Sequence, residues 1–309
     1  MKKSTFALAS SDGKSQLSAF LFEPLTEPRA VVQISHGMCE YIMRYEHVAE
    51  FLCEQGFVVC GCDHLGHGTT AELNHAPLGY FGEKGSWNYL VEDQERMRLA
   101  MRERYPTLPY FLLGHSMGSF IARLYTARYC KNLDGLILSG TAGRNPAAGV
   151  GKLVIGTVKL FRGKMHLSPL LYQLTTGNYN KGFHDGTMVD WLTRDPEVCR
   201  RYMKDRWCSF IFTAAGYGEL VELVSRCNSK DWYRDMPKNL PILMYSGDHD
   251  PVGGNGKGVR EVYEGLKAAG CQDIKLILYP DGRHEMHNEL NKEEVLQNLL
   301  AFLDAQLAK

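Results

Sequence analysis

The chain has 309 residues, 44% of them hydrophobic, and its 35 Lys and Arg balance its 35 Asp and Glu. A formal charge of zero gives no sign of the basic surface that nucleic-acid binding requires, so we expect no nucleic-acid partner. Nine cysteines, an odd number without a C-x-x-C pair, argue against both a disulfide framework and a zinc site.

The amino terminus begins like a signal peptide. Its apolar run is about five residues, however, and the apolar core of a signal peptide needs roughly 7 to 15. No uninterrupted apolar stretch approaches the length that spans a bilayer. Together with the cysteine usage, these features lead us to expect a soluble protein of a reducing compartment, the cytoplasm.

Alternating apolar and polar runs at residues 4–10 and 16–22, joined by Asp12-Gly13, predict an amino-terminal hairpin. Strands and helices then alternate. We predict strands at 30–35, 57–62, 110–113, 133–139, 241–246 and 274–279, and helices at 44–55, 87–105, 117–130, 258–269 and 292–307. This order predicts an α/β fold, with a mostly parallel central sheet and helices on both of its faces.

One long interval, residues 143–236, breaks the alternation. It has helix-like patterning and no convincing strand. In open α/β sheets ligands bind beyond the carboxyl ends of the strands, so we interpret this interval as an inserted helical lid over that edge. The predicted organisation is therefore a core in two parts, 1–142 and 237–309, interrupted by what we call the lid segment, 143–236.

The sequence Gly-His-Ser-Met-Gly at 114–118 places Ser116 between two glycines, directly after an apolar strand and before a helical pattern. The pattern G-x-S-x-G is weak evidence alone, but a strand, a sharp turn and a helix are the setting of a nucleophile elbow. The alternative is a serine that caps an ordinary turn between a strand and a helix.

A serine hydroxyl becomes a nucleophile when an imidazole, oriented by a carboxylate, takes its proton. The predicted strand 241–246 is followed by Asp248 and Asp250, and the strand 274–279 by His284 and His287. The two histidines are three residues apart, whereas the zinc motif H-E-x-x-H needs four. We therefore expect neither a metal ion nor another cofactor.

Five groups of residues between 36 and 290 carry a family resemblance. They are His36-Gly37 with Glu40 and Arg44-Tyr45; Asp63-His64 with Gly66-His67-Gly68; Gly114 to Gly118; Gly247 with Asp250; and His284 with His287. In these motifs the chain resembles the α/β-hydrolases, and within them the monoacylglycerol lipase and lysophospholipase branch.

The resemblance implies an α/β-hydrolase fold with Ser116 as nucleophile, Asp250 as acid and His284 as base. Asp248 is the alternative acid, but the family's acid stands three residues after the strand-end glycine, as Asp250 does after Gly247. His287 is the alternative base, and it lies a turn deeper into the following segment.

The resemblance also implies an oxyanion hole made by the backbone N–H groups of Met38 and Met117. The chain departs from the usual H-G-x-G by carrying Cys39 in place of the second glycine. Asp63, His64 and His67 are open to interpretation as a metal cluster. We favour the interpretation that they tie a glycine-shaped turn to the His36 loop.

By this resemblance the chain is expected to be a serine hydrolase of lipid-like acyl esters, such as a monoacylglycerol or a lysophospholipid. A second hypothesis is a general short-chain carboxylesterase or peptidase, because a triad does not encode the acyl group. A third is a catalytically silent ligand-binding protein, and the intact trio Ser116, Asp250 and His284 counts against it.

The start of the lid segment is basic, with no acidic residue among Arg144, Lys152, Lys159, Arg162 and Lys164. In a helix, Lys152, Lys159 and Arg162 share one face, and Val154, Val158 and Phe161 share another. Such an amphipathic element is typical of peripheral membrane contact. It equally fits an apolar face packed on the core, and both interpretations stay open.

Overall fold

The computed structural model describes residues 1–309, the side chain of Cys130 excepted. Its sheet has eight strands in the order β1-β2-β4-β3-β5-β6-β7-β8. Their bounds are Lys2–Ala9 (β1), Gln16–Glu23 (β2), Ala30–Ser35 (β3), Phe57–Cys62 (β4), Tyr110–His115 (β5), Gly135–Ser139 (β6), Ile242–Gly247 (β7) and Ile274–Tyr279 (β8). β2 is antiparallel to both β1 and β4, and the remaining neighbours are parallel. The predicted amino-terminal hairpin and mostly parallel sheet are confirmed.

The α-helices are Glu46–Glu54 (α1), Gly68–Leu73 (α2), Trp87–Arg104 (α3), Met117–Tyr129 (α4), Ala148–Arg162 (α5), Pro169–Thr175 (α6), Pro196–Lys204 (α7), Ala214–Cys227 (α8), Lys230–Asp235 (α9), Lys257–Ala268 (α10) and Lys292–Leu307 (α11). α1 and α11 bury their apolar faces on one side of the sheet. On the other side lie the apolar faces of α3, α4 and α10. Helices cover both faces of the sheet, as predicted.

The central strands are buried along their whole length, and this explains their near-continuous apolar sequences. Successive side chains still alternate between the faces: Val31 packs with α3 and α4, whereas Val32 packs with α1 and α11. The eight cysteines whose side chains are described are buried thiols.

The differences from the predicted elements are confined to element ends and to one short helix. The helix predicted at 44–55 begins with a 3-10 turn, Ile42–Tyr45, and continues as α1. The strand predicted from 133 begins at Gly135, because the Asp134 carboxylate accepts the Tyr110 backbone N–H at 2.7 Å and ends the regular pairing there. The six-residue α2 is not among the predicted elements, and its first residue, Gly68, falls in the turn expected there.

The lid segment contains α5 to α9, and in the described chain its β-structure is a single bridge between Leu167 and Thr213. Four of these helices have local start signals that the sequence carries. At the amino end of each of these helices, the side-chain oxygen of the residue before the helix accepts a backbone N–H group of the first turn. These capping residues are Ser168, Asp195, Thr213 and Ser229. The helical character predicted for this interval is therefore observed.

Arg123 of α4 connects the two ends of the lid segment to the core. Its guanidinium is fully buried and donates to the Ala142 carbonyl at 3.0 Å, to Asn228 Oδ1 at 2.9 Å and to the Cys227 carbonyl. Trp232 lies against it, with the guanidinium carbon 4.1 Å from the ring centroid. We propose that the chain enters and leaves a distinct lid here, with boundaries near 143 and 236.

We predict that Arg123→Met lowers the denaturant midpoint of unfolding strongly. The substitution removes the Arg123 donor from the buried Cys227 carbonyl and leaves the part-buried Ala142 carbonyl with only Asn228 Nδ2, at 3.4 Å. A buried group left without a partner costs on the order of 1 to 3 kcal/mol. Urea unfolding followed by circular dichroism measures the change. Arg128→Met is the matched control, because Arg128 is on the same helix but part-exposed, and its ion pair with Glu92 contributes at most about 1 kcal/mol. Equal midpoints for the two variants would contradict the anchoring role.

Candidate active site

Ser116 occupies a strained turn between β5 and α4. Its φ is +51°, in the left-handed region that residues other than glycine rarely adopt, and its N–H donates to the Ser139 carbonyl at 2.9 Å. The flanking glycines are required by close packing. A Cβ at Gly118 would overlap the Ser35 carbonyl, and one at Gly114 would overlap the Gly118 carbonyl. The spacing of G-x-S-x-G thus follows from three backbones that cross at this point.

Asp250 and His284 form a buried pair at the ends of β7 and β8. His284 Nδ1 lies 2.9 Å from Asp250 Oδ2, and the two side chains are 3% and 0% exposed. The carboxylate is also fixed by the Ser246 hydroxyl at 2.9 Å and the Val252 N–H at 2.8 Å. The alternative acid, Asp248, faces the surface and pairs with its neighbour His249. Of the two candidate carboxylates, the structure brings Asp250 to His284.

The electrostatics of His284 are set by two opposing effects. Burial lowers the pKa of His284, but the charge and hydrogen bond of Asp250 raise it by more, with smaller contributions from Glu285 and Glu40. The pKa therefore lies above the ordinary value of 6.5. Because Nδ1–H donates to Asp250, Nε2 is left as the nitrogen that accepts a proton.

His287, the alternative base, lies behind the site. Its ring stacks on Tyr45 with 4.5 Å between centroids and meets the edge of His115 at 4.9 Å. Burial lowers the pKa of His287 to about 3, so the ring is neutral at physiological pH. The structure gives His287 a packing position rather than contact with Asp250.

The backbone around Met38 is oriented by His36. His36 Nε2 accepts the His64 N–H at 3.0 Å, so Nδ1 carries the proton and donates to the Gly37 carbonyl at 2.8 Å. In a trans peptide the C=O and the following N–H point in opposite directions. The Met38 N–H therefore points away from the His36 ring. Met38 and Met117, the first residue of α4, both line the pocket that contains Ser116.

Cys39 replaces the expected glycine without changing the kind of backbone found there. Its φ is +55°, a value that glycine adopts without strain, and its thiol donates to the Phe210 carbonyl at 3.0 Å. Burial raises the pKa of the Cys39 thiol well above its ordinary value, so the group stays protonated. A lid residue thus holds the loop in the conformation that glycine would otherwise permit.

Asp63, His64 and His67 connect loops, as the sequence interpretation favoured. Asp63 accepts the N–H groups of Ile42 and Thr69, each at 2.8 Å, and burial raises its pKa to about 7. His64 Nε2 lies 3.1 Å from the His36 carbonyl. Among the described residues no three His, Cys, Asp or Glu side chains are grouped so as to hold a metal ion.

A buried charge network joins the Met38 loop to the His284 loop. Arg44 makes two hydrogen bonds of 2.6 Å to Glu285 and one of 2.8 Å to Glu40. Glu40 in turn accepts the Gly37 N–H and the Tyr45 hydroxyl. Burial raises the pKa of Glu285, but Arg44 lowers it by more, to about 2. From the sequence, Glu40 and Arg44 were recognised only as residues that match the family motifs, with no role assigned. No sequence feature indicated a role for Glu285.

Ser116 and His284 open into a cavity of about 940 Å³ between the sheet and the lid segment. Its lid side is mostly apolar and includes Val154, Leu171 and Leu192. Trp191 covers one side of His284, with ring centroids 5.2 Å apart. A small number of polar groups in a mainly apolar cavity is the usual composition of a small-molecule site.

The fold and this site define an α/β-hydrolase. The profile described as "Serine aminopeptidase, S33" matches residues 26–291. The chain therefore belongs to the serine aminopeptidase S33 family of hydrolases, and the resemblance read from its motifs is confirmed. It is a carboxylic ester hydrolase similar to monoacylglycerol lipases.

Relatives match over nearly the whole chain. A monoacylglycerol lipase of Mycolicibacterium smegmatis is 29% identical, covering 93% of this chain and 92% of its own length. The human monoglyceride lipase is 30% identical, with 92% and 84% covered. The crystal structure of a thermostable carboxyl esterase from Bacillus coagulans superposes with a TM-score of 0.91 at 34% identity, and 99% of each chain is covered.

We predict that Gly118→Ala destabilises the protein severely and removes folded protein from the soluble fraction. The added methyl group meets the Ser35 backbone, which belongs to a central strand and has no room to move. Gly149→Ala is the matched control, because it lies on exposed α5 with open space around its Cβ. It should raise stability by roughly 0.5 to 1 kcal/mol through helix propensity. Thermal melting compares the two, and a native-like Gly118→Ala would contradict the close crossing.

Proposed function

We propose that this hydrolase cleaves carboxylic esters of lipid-like substrates through an acyl-enzyme intermediate on Ser116. His284 acts as the base and Asp250 as the carboxylate that orients it. The observation that carries the proposal is the combination of a left-handed serine and a buried Asp250–His284 pair, with serine and histidine both facing one apolar cavity. Each group alone has structural explanations, whereas their convergence fits the needs of nucleophilic acyl transfer.

In the proposed reaction the Ser116 hydroxyl attacks the ester carbonyl while its proton passes to His284 Nε2. The negative charge that develops on the carbonyl oxygen is stabilised by the N–H groups of Met38 and Met117. Collapse of the intermediate breaks the ester C–O bond, and His284 returns the proton to the departing alcohol. Water then attacks the acyl group by the same route and releases the carboxylic acid and free Ser116.

The cavity supports a substrate with a sizeable apolar part. Its volume of about 940 Å³ lies near the top of the range for small-molecule sites, roughly 300 to 1,000 Å³. The named relatives include monoacylglycerol lipases and a probable lysophospholipase of Haemophilus influenzae. We therefore propose a monoacylglycerol or a lysophospholipid as substrate. The Bacillus coagulans carboxyl esterase favours a second candidate, a carboxylesterase of shorter acyl chains.

An apolar surface on the lid segment supports contact with lipid, but of the three apolar residues expected from the sequence only Phe161 belongs to it. Val154 and Val158 pack inward, because α5 turns that side toward the core and α8. The exposed apolar side chains of α5 are Val150, Leu153, Leu160 and Phe161. Val150 lines the cavity, as do exposed Leu174 and Met188 of the lid segment, so the exposed apolar face of α5 begins at the cavity and continues along the helix to Phe161. No described helix is long and apolar enough to span a bilayer.

The cations of α5 are not equivalent. Lys152 pairs with Glu222 at 2.8 Å, and Lys164, just beyond the helix, pairs with Glu83. Lys159 and Arg162 have no ion pair within the described residues and lie beside Leu160 and Phe161. We propose that these two cations, with the exposed apolar face, dock the cavity mouth on an anionic lipid surface.

The triad proposal predicts that Ser116→Ala and His284→Ala each lose at least about a thousandfold in kcat on a soluble ester, because serine and histidine act as one unit. Asp250→Asn should be comparably impaired, since an amide favours the wrong imidazole tautomer. Steady-state hydrolysis and labelling by a fluorophosphonate probe measure both effects. Asp248→Asn is the control and should keep near wild-type activity. An active Asp250→Asn beside an inactive Asp248→Asn would reverse the assignment of the acid.

The docking proposal predicts that replacing Leu153, Leu160 and Phe161 by serine weakens binding to anionic vesicles and slows hydrolysis of monoacylglycerol presented in them. Full insertion of each side chain would contribute on the order of 1.5 to 3 kcal/mol. Hydrolysis of a soluble short-chain ester should be unaffected, so the ratio of the two rates is the quantity to measure. The charge-reversed pair Lys159→Glu and Arg162→Glu should lower the same ratio, and less so at high salt.

The control for this experiment replaces three exposed leucines of the core, Leu25, Leu73 and Leu290, by serine. It removes a similar apolar area from surfaces away from the cavity mouth. An unchanged rate ratio in the lid variant, or an equal fall in the control, would argue against docking through α5.

A further inference from the structure

A part of the lid segment is fastened to the loop that carries His284. We call residues 183–193 the lid clasp. Arg283 Nη1 donates to the clasp carbonyls of Asp190 at 2.7 Å and Thr193 at 3.2 Å, and its other arm pairs with Asp185 at 2.5 Å. The guanidinium also lies over the Phe183 ring, 4.6 Å from the centroid. One side chain, only 12% exposed, thus holds four positions of the clasp.

The clasp contacts the imidazole of His284 through Trp191. Their ring centroids are 5.2 Å apart and the rings are inclined by 37°. The backbones are joined as well, because the His284 N–H donates to the Trp191 carbonyl at 3.4 Å and the Glu285 N–H to the Leu192 carbonyl at 2.7 Å. Trp191 therefore excludes water from one face of His284.

Hydrogen bonds within the clasp, and one to Asn180 just before it, hold its backbone in one arrangement. The Asp190 carboxylate accepts the N–H groups of Asp185 at 2.7 Å and Thr187 at 3.0 Å. The Trp191 N–H donates to Asn180 Oδ1 at 3.1 Å. A displacement of the carbonyls that Arg283 holds is therefore transmitted to the Trp191 ring.

We propose that Arg283 is a positioning residue that keeps Trp191 against His284 by fastening the lid clasp to the loop of the base. The inference rests on the proposed role of His284. Under this proposal the position of the lid clasp determines the environment of His284. When the clasp separates from Arg283, the imidazole becomes exposed. Arg283 acts through Trp191, and this indirect action is what an experiment has to detect.

The pH dependence of activity reports the environment of His284. The charged and titratable groups that face this ring are Asp250 from the loop after β7, Glu285 and His287 from its own loop, Glu40 from the loop after β3, and His115 from β5. Burial opposes the protonated form, whereas the carboxylates favour it. Uncovering the ring solvates the imidazolium, so its pKa rises further. The rise of kcat/KM with pH should then move to higher pH.

The test is a double-mutant cycle of Arg283→Met, Trp191→Ala and the combined variant, assayed with a soluble p-nitrophenyl ester across pH. Arg283→Met should lower kcat/KM at neutral pH by about ten- to a hundredfold, because a misplacement of about 1 Å at a reacting group can cost about a hundredfold. The acid limb of its kcat/KM profile should shift to higher pH. The double variant should match Trp191→Ala alone, since Arg283 acts through that ring. Arg200→Met removes an exposed lid arginine paired with Glu197 and should behave as wild type.

Additive effects in the cycle, or an unshifted acid limb in Arg283→Met, would overturn the proposal. If Arg283→Met does not fold, Arg283→Gln takes its place, because glutamine still donates to one carbonyl, and an unshifted limb there also overturns it. The His284→Ala variant distinguishes failure of the proposed triad from failure of the proposed role of Arg283. An active His284→Ala would reject the triad itself, whereas an inactive one beside an additive cycle would reject only the role of Arg283.

Discussion

The close crossing of three backbone segments beneath Ser116 is the constraint on which the site depends. Gly118 packs on the Ser35 carbonyl and Gly114 packs on Gly118, so α4 begins as near to the sheet as atoms permit. This proximity holds Ser116 at a positive φ and places the amino end of α4 beside the loop after β3. The two N–H groups proposed for the oxyanion then come from segments that the crossing itself brings together.

Around this crossing the protein arranges buried charge to hold loops rather than to act on substrate. Arg44 links Glu40 of the Met38 loop to Glu285, the neighbour of His284, and so connects the loop of the proposed oxyanion donor to the loop of the proposed base. A buried ion pair adds little net stability, but it does specify geometry, because an unpaired partner would be strongly unfavourable. Arg123 does similar work without a carboxylate, by satisfying carbonyls at the two ends of the lid segment.

Much of the fold was predictable because its determinants are local. The buried parallel strands have continuous apolar runs, the elbow has its glycines, and the lid helices have capping residues. The preference for Asp250 over Asp248 as the proposed acid came from family spacing, and the contact of Asp250 with His284 supports that proposal. In each case a few neighbouring residues carry the information.

What the sequence did not reveal depends on contacts between distant segments. Periodicity predicts one apolar face on this helix, with Val154, Val158 and Phe161, but only packing against α8 decides that Val158 is turned inward while Phe161 and Leu160 are exposed. Likewise Arg283, Trp191 and Glu285 carry no pattern that distinguishes them from other residues of their types. Their contacts join residues about 90 or more positions apart, and only the folded chain brings them together.

The junction at Arg123 has a consequence for how such enzymes diverge. The Arg123 guanidinium contacts residues near both ends of the lid segment, so the segment is an insertion that leaves the sheet and returns to it at nearly the same point. The entropic cost of closing a loop grows only slowly with the number of residues in the loop. An inserted segment of this kind therefore tolerates insertion, deletion or replacement while the strand order is preserved. The lid residues that line the cavity are therefore free to change faster than the residues proposed for the triad. Selectivity and reactivity are thus separable traits in this architecture, except where the clasp at Arg283 ties them together.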